Sequence, residues 1–192
     1  MEILNFSETI KGILDPQYAS LSYLLKFKNF DVLIDAGGYK MKFPQKLFPK
    51  YIFLTHGHLD HILGAKFFPQ AEIFLSEKDL LIIEKLNSLI FSEKEINEGQ
   101  KIKSKIKPLE KVKKEILDEL EIEIIPTPGH TPGSVCFLWQ KSFLFSGDTV
   151  FDKDFSIVGR TDLPFSSEKN LKKSLNSLKK IKFQKLFPGH FY

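Results

Sequence analysis

Cysteine and arginine are almost absent from this chain of 192 residues. Cys136 is the single cysteine, which excludes an internal disulfide and a cysteine-rich zinc site. Its position in an apolar run predicts a buried, structural side chain. Of the 28 basic residues, only Arg160 is an arginine. A chain that otherwise uses lysine favours a special role for its one arginine, because the guanidinium group is a planar, bidentate donor.

Long apolar runs are also missing. No stretch approaches the roughly 18 residues of a transmembrane helix, and charged residues interrupt the N-terminal segment where a signal peptide would have its apolar core. The composition, 42% hydrophobic and 27% charged, is typical of a globular domain. We therefore expect a single domain over residues 1–192, a cytoplasmic location and no membrane partner.

The net charge of +4 comes largely from lysines, many of them in segments 101–114 and 169–185. Few aromatic residues stand between these lysines, whereas nucleic-acid-binding surfaces commonly combine the two. Lysine runs of this kind are typical of a solvated surface. We expect no nucleic-acid partner, and the oligomeric state is left open.

Apolar runs and alternating patterns predict most of the strands. They cover residues 21–27, 30–35, 51–55, 71–75, 134–139, 142–146 and 186–187. One further strand is predicted from Leu120, because apolar residues alternate strictly with Glu121 and Glu123. Helices are predicted over about 61–68, after Ser76 (with Leu80, Leu81, Ile83 and Leu86) and after Ser167. Residues 92–115 carry no clear pattern.

Four potential metal ligands follow the predicted strand 51–55 directly. His56, His58, Asp60 and His61 are too close together for all of them to be buried in an apolar core, where unpaired polar groups are costly. Imidazole and carboxylate together suit zinc, iron or manganese. Asp60 has an alternative role as the N-cap of the following helix.

Three more candidates stand in loops farther along the chain. His130 and His190 each follow a Pro-Gly pair, and Asp148 follows Gly147 at the end of a predicted strand. With them, all five histidines of the chain belong to one candidate ligand set. Loops that leave rigid strands commonly carry functional side chains.

Five motifs carry a resemblance to a known family: THGHLDH, PTPGHTPGS, SGDTVF, GRTDLP and FPGH. They resemble the metallo-β-lactamase superfamily and, within it, the short glyoxalase II-like (hydroxyacylglutathione hydrolase-like) enzymes. The resemblance runs from Asp35 to the C-terminus. It implies an α/β fold, a four-layer αββα sandwich, with metals bound at one end between the two sheets.

Position by position, the resemblance implies two divalent metal ions, with zinc as the first candidate and iron or manganese as the others. His56, His58 and His130 would hold the first ion. Asp60, His61 and His190 would hold the second, and Asp148 would bridge the two. Asp60 and Asp148 are thereby the candidate catalytic residues.

Two residues near this set have alternative roles. Asp35 either accepts a hydrogen bond from a ligand and orients it or closes a turn after its strand. Arg160 either forms a salt bridge with Asp162 or binds a carboxylate of the substrate. Thr131 and Ser134 are expected to shape the loop around His130 through local hydrogen bonds.

The resemblance implies hydrolysis of a small-molecule thioester, such as an acyl-glutathione, by a metal-bound hydroxide. The rival is a persulfide dioxygenase of the same fold, which also has a GRTD stretch and holds one iron by residues that match His56, His130 and Asp148. A nuclease of this fold is disfavoured, because no large inserted domain is present. Full-length glyoxalase II enzymes have a helical C-terminal domain that contacts glutathione. Because this chain stops at Tyr192, we expect few contacts to the peptide part of such a substrate.

Overall fold

Two β-sheets with helices on their outer faces make up the computed structural model, which describes residues 2–85 and 91–191. The strands are β1 (Glu2–Asn5), β2 (Ile10–Leu14), β3 (Leu21–Lys26), β4 (Asp31–Ile34), β5 (Pro49–Phe53), β6 (Glu72–Leu75), β7 (Ile106–Pro108), β8 (Ile122–Pro126), β9 (Val135–Trp139), β10 (Phe143–Gly147) and β11 (Lys185–Pro188). The helices are α1 (Leu59–Ile62), α2 (Leu80–Lys85), α3 (Glu93–Lys103), α4 (Lys114–Leu120) and α5 (Glu168–Leu178).

The larger sheet has its strands in chain order, from β1 to β7. Strands β1 to β4 are antiparallel neighbours, and β4 to β7 run parallel. The smaller sheet has the order β11-β10-β9-β8, in which only the pairing of β10 with β11 is parallel. Strands β5 and β10 therefore each have a parallel neighbour, so that several loops leave the sheets at one edge.

Alternation along the strands separates the inside of the sandwich from its outside. In β5, Tyr51 and Phe53 pack between the sheets, whereas Ile52 points to the helices over the larger sheet. In β9, Phe137 faces the larger sheet and Cys136 faces away from it. The interior between the sheets is rich in aromatic rings, which bury large apolar areas and supply much of the stabilisation.

The helices complete two outer layers. Leu59 of α1, Ile83 of α2 and Ile102 of α3 pack on the larger sheet. Leu178 of α5 packs on the outer face of the smaller sheet, beside Cys136. This order of layers confirms the predicted αββα sandwich. Burial also raises the pKa of the Cys136 thiol to about 11, as expected for a structural cysteine.

Several predicted strands are confirmed, but one of them begins later than predicted. Leu120 is the last residue of α4 and not the first of a strand, because Glu121 ends that helix in a left-handed conformation at φ +54°. Leu120 is nonetheless fully buried. Because it is apolar like Ile122 and Ile124, the alternating pattern of β8 extends back to the last residue of the helix. The strand itself starts at Ile122.

Two predicted helices also differ in detail. The helix expected over 61–68 is a short α1 followed by a 3₁₀ turn over Leu63–Phe67. Ser76 does not cap a helix with its side chain, since its hydroxyl donates to Glu110 and a 3₁₀ turn over Glu77–Asp79 precedes α2. The predicted apolar position at residue 86 lies outside the described residues. Ser167 does accept a hydrogen bond from the Asn170 N–H at the start of α5.

The segment without a clear pattern, 92–115, contains α3, β7 and the start of α4. Helix α3 begins with a capping box, in which Ser92 and Glu95 bond to each other's backbone N–H groups. Strands β1 and β2 were not predicted either. In the described ranges, no helix is long and apolar enough to cross a membrane.

Candidate metal centre

The seven predicted ligands lie together at one edge of the sandwich. His56 and His58 follow β5, and Asp60 and His61 belong to α1. The remaining three follow strands β8, β10 and β11, in the order His130, Asp148 and His190. Parallel pairing explains part of this arrangement, because it brings the carboxyl ends of β10 and β11 to one edge.

Three histidine nitrogens converge in a first group. His56 Nε2 lies 3.1 Å from His58 Nδ1, and His58 Nδ1 lies 3.0 Å from His130 Nε2. Two nitrogens held by one tetrahedral zinc ion at about 2.0–2.1 Å would lie about 3.3 Å apart. The three donors therefore have nearly the spacing that a single cation requires.

A second group contains Asp60, His61 and His190. The two imidazole Nε2 atoms lie 3.1 Å apart, and Asp60 Oδ2 lies 3.6 Å from His61 Nε2 and 3.3 Å from His190 Nε2. Asp148 stands between the groups, with Oδ2 3.5 Å from His130 Nε2 and 3.4 Å from His190 Nε2. This is the division into two groups and a shared carboxylate that the resemblance implied. Metal binding by these residues stays a prediction.

Neighbouring acceptors orient three of the imidazole rings. The Thr55 hydroxyl donates to Asp35, so it accepts from His56 Nδ1–H at 3.0 Å. His61 Nδ1–H donates to Asp35 Oδ2 at 3.0 Å, and His130 Nδ1–H donates to the carbonyl of Arg160 at 3.0 Å. In the neutral form of each ring these contacts hold the proton on Nδ1, so that the lone pair is on Nε2.

The structure thus places Asp35 against a candidate ligand, as one of its two predicted roles required. Its Oδ1 also accepts the backbone N–H of Thr55 at 2.8 Å, and its backbone has φ +57°. Asp35 therefore closes the turn after β4 as well, in a left-handed conformation that aspartate tolerates better than most residues.

The surrounding protein groups lower the pKa values of two histidines and raise those of two others. Burial lowers the pKa of His56 well below its usual value and, together with His130, lowers the pKa of His58 to about 4. Burial also opposes the charged forms of His61 and His190, but Asp60 and Asp148 raise their pKa values to about 9 and about 11. The imidazoles of His56 and His58 therefore stay neutral, as metal ligands must.

The two carboxylates are ionised in the same surroundings. Burial by itself would raise their pKa values, but the adjacent histidines, His61 foremost, hold the pKa of Asp148 well below its usual value and also lower that of Asp60. Among the described residues, Asp148 Oδ1 is a buried carboxylate oxygen without a hydrogen-bond partner. An unpartnered anionic oxygen beside converging nitrogen lone pairs fits a bound cation.

A cleft of about 330 Å³ opens on this centre. Its apolar walls come from Tyr18, Phe91, Phe151, Leu163 and Phe191. Tyr18 is held by its hydroxyl, which donates to Glu95 at 2.7 Å, and its ring meets Phe91 edge-on at 5.4 Å. Phe151 ends the SGDTVF motif, whereas Tyr18, Phe91 and Phe191 lie outside the five motifs, and no local spacing marks them as part of the site.

Arg160 lies at the rim of the cleft and forms the predicted salt bridge with Asp162, whereas binding of a substrate carboxylate stays a prediction. Its guanidinium forms a bidentate salt bridge with Asp162, at 2.9 and 2.7 Å, and the side chain is 62% exposed. This hydrogen-bonded pairing lowers the pKa of Asp162 to about 2. The adjacent Gly159 has no room for a side chain, since a Cβ there would stand 1.8 Å from the Asp148 carbonyl oxygen. The GRTD stretch therefore packs on two candidate ligands through its backbone and reaches the cleft through Arg160.

A buried carboxylate that the sequence analysis missed lies behind the first group. Asp79 accepts hydrogen bonds from Gly57 N–H, Thr131 Oγ1–H and Gly133 N–H. Burial raises its pKa, although these three bonds act in the opposite direction. The sequence signal for this residue is weak, because a lone aspartate before a helix is ordinarily a cap.

With this fold and site, residues 15–190 match the model of the metallo-β-lactamase superfamily. The chain belongs to that superfamily and has groups of histidine and aspartate side chains that could hold metal ions.

Two relatives and one solved structure are similar to this chain over most of its length. MJ0888 of Methanocaldococcus jannaschii, named as a probable metallo-hydrolase, is 33% identical over 201 residues, which cover 90% of this chain and 88% of the relative. The hydroxyacylglutathione hydrolase GloC of Haemophilus influenzae is 32% identical over 167 residues, which cover 76% of this chain and 71% of the relative. Among solved structures, TTHA1623 in a di-iron-bound form matches with a TM-score of 0.69 at 26% identity, covering 94% of this chain and 91% of that one.

Proposed function

We propose that this protein hydrolyses a small-molecule thioester, with an acyl-glutathione as the first substrate to test. The proposal depends above all on one observation, the two ligand groups that meet at Asp148 and face a cleft. The similarity to the H. influenzae enzyme, named a hydroxyacylglutathione hydrolase, supports this substrate class.

The donor set suits two divalent cations, one in each ligand group with Asp148 shared between them. When bound, these cations supply Lewis-acid activation of the attacking water and of the scissile carbonyl. Zinc is the first candidate, because histidine and carboxylate ligands suit it. The di-iron form of TTHA1623 supports testing iron beside zinc, and manganese is the third candidate.

Asp60 and Asp148 are the proposed catalytic carboxylates. Both are ionised, so neither can protonate a leaving group. Asp148, whose carboxylate lies between the two ligand groups, would orient the attacking water there by accepting a hydrogen bond from it. A thiol has a pKa of about 8.5, so a thiolate leaves without a proton donor. This chemistry favours a thioester over an amide.

Substrate binding is assigned to the walls of the cleft. The aromatic side chains of Tyr18, Phe91 and Phe151 offer apolar surface to the organic groups beside the thioester. Arg160 at the rim offers a positive charge for a carboxylate of the substrate.

The test compares two substrates on one metal-loaded preparation. We expect hydrolysis of an acyl-glutathione to proceed equally with and without oxygen, to stop when a chelator removes the metal, and to return when the metal is added back. The release of free thiol measures the thioester reaction, and an oxygen electrode measures the oxidation of a persulfide. Oxygen consumption with the persulfide at a rate well above thioester cleavage would instead assign the chain to the dioxygenases.

Replacing Arg160 tests the substrate contact. An exposed salt bridge is worth only about 0–1 kcal/mol, so a substrate carboxylate can compete with Asp162 for the guanidinium. Arg160→Lys keeps the charge but loses the bidentate geometry, and we expect KM to rise about tenfold, or about 1.4 kcal/mol, with kcat little changed. Arg160→Ala should raise KM further and leave the metal content intact, because Arg160 accepts the His130 Nδ1–H through its backbone carbonyl, which the substitution keeps.

Steady-state kinetics and elemental analysis of both variants check this prediction, with Asp162→Asn as the matched control. That variant frees the guanidinium, so its KM should stay unchanged or fall. If Arg160→Ala loses metal or unfolds, the side chain is a structural partner of Asp162 and the substrate is bound elsewhere.

A further inference from the structure

Asp79 joins the two loops that carry the three-histidine group. Its Oδ2 accepts the Gly57 N–H at 2.9 Å and the Thr131 hydroxyl at 2.6 Å, and its Oδ1 accepts the Gly133 N–H at 2.6 Å. Gly57 lies between His56 and His58, and Thr131 directly follows His130. One carboxylate therefore contacts the backbone or side chain next to every member of that group.

Both ligand loops pack closely against Asp79, at Gly57 and at Gly133. A Cβ on Gly133 would lie 2.6 Å from Asp79 Oδ1, and a Cβ on Gly57 would lie 2.8 Å from the Asp79 carbonyl oxygen. Any side chain at either position would separate the loop from Asp79. The glycines of the HGH and TPGS stretches thus allow the two loops to approach the same carboxylate.

All three groups that bond to the Asp79 side chain are hydrogen-bond donors, so position 79 requires an ionised acceptor. Two backbone N–H groups can only donate, and the Thr131 hydroxyl donates to Asp79 while Ser134 Oγ–H donates to Thr131 Oγ1 at 2.6 Å. Asp79 is fully buried, so water does not replace a lost partner. A buried donor left without an acceptor here would destabilise the contact between its loop and residue 79.

We propose that Asp79 is a positioning residue, which holds the His56–His58 loop at a fixed distance from His130 and thereby sets the metal affinity of the three-histidine group. This inference rests on the proposed metal centre. In the second group, Asp60 and His61 lie on α1 and His190 follows β11, so none of the three is adjacent to a residue that donates to Asp79. The affinity of that group should therefore depend much less on Asp79.

Asparagine in place of Asp79 is a sharp test, because it preserves size while removing one acceptor. If the amide nitrogen takes the position of Oδ2, it faces the Gly57 N–H. If it takes the position of Oδ1, it faces the Gly133 N–H. Either orientation sets donor against donor and breaks the link to one ligand loop.

The measurement is the zinc affinity of each group by itself, obtained by competition with a chromophoric chelator. In a His190→Ala background only the three-histidine group is complete, and in a His58→Ala background only the second group is. We expect Asp79→Asn to weaken zinc binding about 10- to 100-fold in the first background and to leave it unchanged in the second. The visible absorption of bound cobalt should change in the first background alone.

Asp15 offers a matched control. It is equally buried and also accepts three backbone N–H groups, from Gln17 and Tyr18 on Oδ1 and from Gly38 on Oδ2. Asp15→Asn introduces the same donor conflict away from the ligand loops, so it should destabilise the fold without altering zinc affinity in either background. Thr131→Val should weaken the first group less than Asp79→Asn does, and Thr131→Ser should restore its affinity.

The outcomes separate this inference from the proposed function. Unchanged affinity in Asp79→Asn, equal loss in both backgrounds, or an equal loss in Asp15→Asn would overturn the positioning role. If Asp79→Asn fails to fold, the contrast between Thr131→Val and Thr131→Ser decides it, and equal affinities there would overturn it. A chain with all seven candidate ligands intact that binds no zinc, iron or manganese would instead contradict the proposed metal centre.

Discussion

Replacement of Asp148 by alanine should abolish thioester hydrolysis and weaken metal binding in both ligand groups together. The Asp148 carboxylate oxygens lie 3.5 Å from His61 Nε2, 3.5 Å from His130 Nε2 and 3.4 Å from His190 Nε2, so the side chain contacts both groups. Two dications in one site repel each other, and a shared anion offsets that repulsion. Changes outside the ligand shell already lower metal affinity about 10- to 100-fold, so we expect at least about 100-fold here.

Elemental analysis and zinc competition measure this effect, with circular dichroism to verify the fold. Asp154→Ala is a suitable control, because Asp154 is an exposed carboxylate six residues farther along the chain. That variant should bind two metal ions and retain its activity. If Asp148→Ala still binds two ions with unchanged affinity, Asp148 is not shared between them. If the chain with its seven ligands intact never binds more than one ion, and His58 and His61 are dispensable, the mononuclear dioxygenase becomes the better assignment.

Asp35→Asn should produce the second large effect, although Asp35 is not itself a candidate ligand. The carboxylate accepts three hydrogen bonds, from His61 Nδ1–H, the Thr55 hydroxyl and the Thr55 N–H. If the amide nitrogen of asparagine faces His61, the imidazole must move its proton to Nε2 and is lost as a ligand. If the nitrogen faces the Thr55 N–H instead, a buried donor is left unsatisfied. We expect a loss of about 10- to 100-fold in metal affinity and about 1–3 kcal/mol in stability.

Substitutions at Thr55 provide the controls for this prediction. Thr55→Ser keeps the hydroxyl that links Asp35 to His56, so its metal affinity should stay close to that of the original chain. Thr55→Val removes the link and should weaken the three-histidine group while leaving the contact between Asp35 and His61 in place. Zinc competition and thermal denaturation measure both effects. An Asp35→Asn variant with full metal affinity would show that His61 is oriented by its packing alone.

Local patterns in the sequence predicted most of the sandwich strands because burial imposes a period of two on a strand. Short apolar runs contributed as well: β9 lies within the predicted strand 134–139, whereas β5 (Pro49–Phe53) starts two residues before the predicted strand 51–55 and overlaps it. Leu120 shows the limit of this reasoning. It is buried like a strand residue, yet it ends α4, since burial alone does not distinguish a helix end from the strand that follows. In 92–115 the spacing of Ser92 and Glu95 is that of a capping box, which is a local signal for the start of α3.

The chemical character of the site was determined by the sequence itself. The histidines at 56, 58 and 61 stand so close in the chain that they must share one loop and the first turn of a helix. Imidazoles and carboxylates in that density have few uses other than metal binding. The resemblance of the motifs also predicted the αββα architecture, which the order of layers confirms. That architecture brings His130, Asp148 and His190 to the other histidines.

Only the tertiary structure decided which groups support and surround these residues. Asp35 meets His61, Asp79 meets Gly57 and Gly133, and Tyr18 meets Phe91, in each case across 20 or more positions in the chain. Such pairs carry no periodic signal, because a hydrogen bond or ring contact between distant segments depends on how sheets and loops pack and not on local spacing. The sequence therefore determined the candidate ligands, and the packing of the two sheets determined what orients them and what shapes the cleft.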